Sequence, residues 1–142
     1  MSTVSQVLAE KGSEIWSVAP HQTVFEAIQV MAIRRVGALL VMDGEQLAGV
    51  VSERDYAREV ILKGRSSKET PVKDIMTSEV VTASPQQQVD EVLSLMSQRR
   101  IRHLPVVVGG KVAGVISIGD LVKAVIREQQ STIEQLESYI KG

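Results

Sequence analysis

Residues 18–61 read VAPHQTVFEAIQVMAIRRVGALLVMDGEQLAGVVSERDYAREVI, and residues 83–126 read ASPQQQVDEVLSLMSQRRIRHLPVVVGGKVAGVISIGDLVKAVI. The two stretches overlay without a gap at a shift of 65 positions. Pro20 falls on Pro85, Glu26 on Glu91, Met31 on Met96, and Arg34–Arg35 on Arg99–Arg100. Gly49 falls on Gly114, Ser52 on Ser117 and Asp55 on Asp120. Several other positions exchange one apolar residue for another, such as Ile28 for Leu93 and Val51 for Ile116. The register continues upstream, with Val7 on Val72 and Glu14 on Glu79. Self-similarity at a fixed period is the mark of a duplicated structural unit.

Each copy predicts the same order of elements. A short extended piece (Ile15–Val18; Val80–Ala83) runs up to the Pro. An amphipathic helix follows, because Val24, Ala27, Ile28 and Met31 lie at i, i+3, i+4 and i+7, and Val89, Val92, Leu93 and Met96 repeat the stripe. Thr23 and Ser84 are the candidate caps. Two strands come next, Ala38–Met42 with Leu47–Val51, and His103–Val108 with Lys111–Ile116. Asp43–Gly44 and Gly109–Gly110 are hairpin turn signals. A second helix starts at Ser52 or Ser117. The polar stretch at 63–71, KGRSSKETP, reads as the boundary. The last stretch, Leu121–Tyr139, reads as one long helix with Ile133, Leu136 and Ile140 at helical spacing, either an intramolecular cap on the core or a helix that pairs two copies.

The fold class is therefore α+β (α/β-type), built from two β-α-β-β-α repeats. The first repeat is placed at 7–66, the second at 67–130, and a C-terminal helix extension at 131–142. A unit of this size is marginal alone. Two copies in one chain are expected to pack face to face with pseudo-two-fold symmetry, enclosing a cleft with two related sites.

Composition narrows the functional classes. The 142 residues carry 16 Lys and Arg against 17 Asp and Glu, so no global basic field exists to hold DNA, RNA or an anionic membrane. Aromatics are 3%, too few for a base-stacking platform. There is no Cys, which excludes disulfides, thiolate-bound zinc and a thiol nucleophile, and fits a reducing compartment. No apolar run approaches a membrane span, and the first residues lack a basic start with an apolar stretch behind it, so a cytoplasmic location is expected. Two His far apart in sequence make a poor metal site. Ser52 and Ser117 lack a matched base, so no catalytic set is assigned and enzymatic activity is not expected.

The chemistry concentrates at the two Ser-x-x-Asp junctions, where GVVSERD (49–55) and GVISIGD (114–120) carry a strand into a helix. A helix start offers unpaired N–H groups and partial positive charge, a natural seat for a phosphate. An Asp one turn in can accept hydrogen bonds from a ribose diol. The same spacing also makes a capping box that only starts a helix. The residues alone leave both readings open.

The unit order, the segment Val72-Lys73-Asp74-Ile75-Met76-Thr77, the hairpin ending Gly-Val-Val/Ile-Ser and the Asp three residues beyond resemble the CBS (cystathionine β-synthase) domain. Two tandem copies resemble a CBS pair, or Bateman module, over about residues 7–130. The resemblance implies a stand-alone regulatory module that senses an adenosine compound: AMP, ADP, ATP, NAD or S-adenosylmethionine. It also implies a homodimer and an unidentified protein target, with no nucleic acid or membrane partner and no catalytic cofactor. One site would use Val115, Ser117, Gly119 and Asp120 with Gly12, Ile15, Val36, Gly37 and Ala38. The other would use Val50, Ser52, Arg54 and Asp55 with Thr77, Val80, Ile101, Arg102 and His103. The alternative is a structural or partner-docking protein with degenerate nucleotide sites.

The copies differ where it matters. Gly37-Ala38 becomes Arg102-His103, and Glu53-Arg54 becomes Ile118-Gly119, so the two sites are not chemically equal. Arg suits phosphate geometrically, which makes Arg54 and Arg102 candidate contacts. Arg34, Arg35, Arg99 and Arg100 sit near helix C-termini and read as structural.

Overall fold

The computed structural model of the chain describes residues 2–12 and 14–141. The chain divides into two compact units. One unit is Ile15–Val81; the other joins the stretch up to Glu14 to everything from Thr82 onward. Spatial grouping thus differs from chain order: residues 67–81 group with the first hairpin, and the N-terminal segment groups with the second.

In the Ile15–Val81 unit, β1 (Ser17–Val18) lies parallel to β2 (Ala38–Asp43), which pairs antiparallel with β3 (Gln46–Ser52). The hairpin turns at Gly44, whose φ of 62° suits a residue without Cβ. Helix α2 (Val24–Arg34) starts in a capping box: the Thr23 hydroxyl accepts from the Glu26 N–H, and the Glu26 carboxylate accepts from the Thr23 N–H. Its buried Val24, Ala27 and Met31 pack with Leu39, Val41, Val51, Val60, Val72 and Ile75. Fully burying an aliphatic side chain of this size stabilises by about 1.5–3 kcal/mol. The segment after the polar boundary closes the unit. Val24 N–H donates to the Thr70 carbonyl at 2.9 Å, and Val50 and Thr77 exchange backbone bonds of 3.0 and 2.9 Å. Gly49 permits that approach, since a Cβ there would stand 2.7 Å from the Thr77 carbonyl oxygen. After β3, helix α3 (Glu53–Tyr56) widens into a π-type turn over Ala57–Ile61.

The other unit repeats this with three departures. Helix α1 (Val4–Lys11), which the sequence reading did not place, buries Val4 and Val7 and stands at the position that the Val72–Asp74 turn takes in the first repeat. It is tied in by bonds from Val4 N–H to the Gln87 carbonyl and from Ser5 N–H to the Pro85 carbonyl, both 2.9 Å. Gly114, the match of Gly49, makes room for it: a Cβ would stand 2.8 Å from Leu8 Cδ2.

Second, the extended piece expected at Val80–Ala83 shrinks to a single parallel bridge between Ala83 and Val106, beside the hairpin of β4 (His103–Val108) and β5 (Lys111–Ser117). The cause is one residue. Leu40 N–H donates to the Trp16 carbonyl in the first repeat, but its match is Pro105, which has no N–H to give.

Third, Ser84 does not cap α4 (Val89–Arg99). The cap position is Gln88, which makes no side-chain capping bond, while Ser84 N–H donates to Gln87 Oε1 at 2.9 Å. In register, Gln88 stands where Thr23 stands, so the capping hydroxyl is lost by substitution.

Both α2 and α4 end on an arginine in the left-handed region, Arg35 (φ 56°) and Arg100 (φ 55°). Arg34 lies over the Trp16 ring at 4.0 Å from its centroid. These arginines serve the scaffold.

Helix α5 (Ile118–Lys141) is one continuous helix. Its buried residues are Leu121 and Ala124, and every residue from Gln129 to Lys141 is exposed. The reading of its apolar stripe as an intramolecular cap therefore fails. Gly142 of the expected extension lies outside the described residues. Among the described residues no helix is long and apolar enough to cross a membrane.

Candidate functional site

Both Ser-x-x-Asp junctions form capping boxes. At the β3–α3 junction, Asp55 N–H donates to Ser52 Oγ at 3.2 Å, and Asp55 Oδ2 accepts from the Ser52 N–H at 2.9 Å and from its hydroxyl at 3.0 Å. At the β5–α5 junction, Asp120 N–H donates to Ser117 Oγ at 3.1 Å, and Asp120 Oδ2 accepts from the Ser117 N–H at 2.8 Å. Each carboxylate is thus locked in one rotamer by its own helix start. Each keeps its second oxygen, Oδ1, without a hydrogen bond among the described residues. Capping and ligand binding are compatible, because the cap uses one oxygen and fixes the direction of the other.

The neighbours of each junction follow from the hairpins. Ala38 pairs with Ser52, and the Gly37 carbonyl accepts from the Glu53 N–H at 3.0 Å. His103 pairs with Ser117, and the Arg102 carbonyl accepts from the Ile118 N–H at 2.9 Å. Gly37-Ala38 therefore lines the Asp55 junction and Arg102-His103 lines the Asp120 junction, each within its own unit. Val36 and Ile101, one step earlier, donate to the carbonyls of Met31 and Met96.

Of the first expected set, Val115, Ser117, Gly119, Asp120 and Gly12 fall in one unit, and Ile15, Val36, Gly37 and Ala38 in the other. Of the second, Val50, Ser52, Arg54, Asp55, Thr77 and Val80 fall in one unit, and Ile101, Arg102 and His103 in the other. Direct backbone contact joins Val50 to Thr77. Arg54, Arg102 and Gly119 are exposed, while Val50, Val115 and Ala38 are half-buried.

The sequence reading missed Lys11. From the C-terminal turn of α1 its Nζ reaches Asp120 Oδ2 at 2.6 Å and the Val115 carbonyl at 2.7 Å. Burial pushes the Asp120 carboxyl up. The Lys11 ammonium and the Ser117 N–H and hydroxyl outweigh it and hold the group below the ordinary carboxylate range. At the matched position of the first repeat stands Met76, which brings no charge. In the sequence Lys11 shows only as the overlay of Met76 at the same shift of 65, which does not name its partner. Among the described residues no group of three or more His, Asp or Glu gathers as a metal site.

Two units of one element order, each bringing a strand into an acid-capped helix start, define a tandem-repeat module. The chain belongs to the CBS domain family, whose model matches residues 4–62 and again 72–127. It is similar to the mitochondrial CBS domain-containing protein CBSX3 of Arabidopsis thaliana, 42% identical over 151 residues, with 99% of this chain and 73% of the relative covered. The structure of a CBS-domain protein from Burkholderia ambifaria MC40-6 superposes with a TM-score of 0.87 at 51% identity, covering 90% of this chain and 96% of that one. The CBS domain pair of protein MJ0100, in complex with 5′-methylthioadenosine and S-adenosyl-L-methionine, shares the fold at a TM-score of 0.79 and 22% identity, covering 90% and 98%.

Proposed function

We propose that this CBS pair is a sensor that binds an adenosine-containing nucleotide (AMP, ADP, ATP or NAD) at its two Ser-x-x-Asp junctions. The observation that carries the reading is the pair of pre-oriented carboxylates, each with Oδ1 unspent beside a strand of Val, Gly and Ala backbone. An unspent carboxylate oxygen accepts a ribose hydroxyl, and apolar strand edges with backbone donors and acceptors suit an adenine. Arg54 and Arg102 supply the charge for a phosphate. The adenosine ligands of the MJ0100 pair support the compound class. Sensing then means a difference in ligand affinity between two states of the protein.

A second reading, partner docking with degenerate nucleotide sites, draws on the Lys11–Asp120 pair, which already occupies one acid. Calorimetric titration with AMP, ATP and NAD separates the two. The sensor reading expects heat and a raised Tm, with Asp55→Ala and Asp120→Ala each removing one binding event. No binding by any adenosine compound at millimolar concentration favours docking and overturns the sensor.

A further inference from the structure

The cap at Asp120 does not need Lys11. The Ser117–Asp120 box closes through its own backbone and hydroxyl groups, as the Ser52–Asp55 box does with no lysine. The Lys11 ammonium has three N–H donors. One goes to Asp120 Oδ2 at 2.6 Å and one to the Val115 carbonyl at 2.7 Å. Among the described residues the third has no partner. All of these groups lie in one unit. The pair thus offers an acceptor and a donor side by side: Asp120 Oδ1, and the open N–H of Lys11 about one carboxylate's width away.

The Asp55 junction offers the acceptor alone, because Met76 stands at the overlay of Lys11. Its surroundings widen the contrast. Glu53 puts a second acid beside Asp55, and the match of Glu53 is the uncharged Ile118. Arg54 is exposed and pairs with neither acid among the described residues. Its match is Gly119, where a Cβ would have only Ser117 Oγ within reach, at 3.6 Å. The Asp120 junction therefore has open space where the other carries a side chain. An anion brought against Asp55 meets two unpaired acids; against Asp120 it meets a neutralised acid and an ammonium.

Position matters as much as sign. In the sensor reading, on which this inference rests, a ribose hydroxyl donates to Asp120 Oδ1. Lys11 then stands at the 2′,3′ edge of the sugar, not at its 5′ end. Where an acid alone selects a free ribose diol, a cation at the same edge accommodates a phosphate on it. We infer that Lys11 sets the specificity of the Asp120 junction for a ribose phosphorylated at its 2′ or 3′ oxygen, next to the hydroxyl that Asp120 holds. The Asp55 junction takes the unphosphorylated diol.

The nucleotides 2′-AMP, 3′-AMP and 5′-AMP share base, sugar and formal charge and differ only in where the phosphate sits. Each is titrated into the full chain while the amide signals of Asp55 and Asp120 are followed by NMR. At Asp120 the expected midpoint for 2′-AMP or 3′-AMP is lower than for 5′-AMP by about tenfold, the size of one charge-assisted hydrogen bond. The two isomers show which oxygen is read. Asp55 shows the reverse order. Lys11→Met removes the preference at Asp120 and leaves Asp55 as it was, whereas Lys11→Arg keeps it. A native Asp120 junction that binds 5′-AMP as well as both isomers, or better, overturns the inference and leaves the sensor reading standing. A preference that survives Lys11→Met does the same. Silence at both junctions with all three nucleotides overturns the sensor reading and the inference with it.

Discussion

The two strand-to-helix junctions are built alike and charged differently. Ser52–Asp55 and Ser117–Asp120 have the same spacing, the same reciprocal cap and the same hairpin register, but among the described residues only Asp120 receives a lysine. The difference arises from what closes each unit. The Ile15–Val81 unit is closed by its own following segment, which brings Met76. The other is closed by the chain's N-terminal helix, which brings Lys11. A duplication keeps scaffold and cap while the closing segment is free to change, so a duplicated site becomes asymmetric through a residue outside its motif.

If the scaffolds are equivalent, matched core truncations cost alike. Leu39→Ala and Leu104→Ala remove side chains at overlaid, fully buried positions. Each is expected to cost about 2–5 kcal/mol in denaturant unfolding. A large disparity between them breaks the equivalence. Ser52→Ala and Ser117→Ala test the caps and are expected to cost about 1 kcal/mol each. A cost at one junction alone shows that the two boxes do not do the same work.

The smallest effect sharpens the difference. Lys11→Met gives the second junction the side chain of the first. Because Lys11 lowers the Asp120 carboxyl, the variant raises it. The sign for stability follows. A carboxylate held below its unfolded value stabilises the fold above about pH 4, and that contribution is lost as the pH falls through its folded value. The variant has less of it to lose, so its stability falls less steeply over the acid range. Carboxyl NMR titration of Asp120 checks this; an unmoved titration contradicts the role given to Lys11.

Much of this architecture was legible in the chain. The shift of 65 placed both hairpins, both amphipathic helices and both junctions, because apolar periodicity and turn residues act locally. Pro105 and Gln88 show where copying the first repeat onto the second misleads: a missing N–H shortened a strand, and a missing hydroxyl left a helix uncapped. The Lys11–Asp120 pair was illegible for a different reason. It joins residues more than a hundred positions apart, and no local pattern announces which helix closes which sheet. The α5 stripe was legible as a pattern, but its exposure was needed to exclude the role of a cap on the core.

The central claim is that two like junctions bind one class of ligand with unequal strength. Amide-resolved NMR during titration with AMP tests it directly, by following the signals of Asp55 and Asp120 in the native chain and in Lys11→Met. The account predicts that both junctions respond with separate midpoints, and that Lys11→Met moves the Asp120 midpoint while leaving that of Asp55 in place. Silence at both junctions at millimolar AMP, or one shared midpoint indifferent to Lys11, contradicts it.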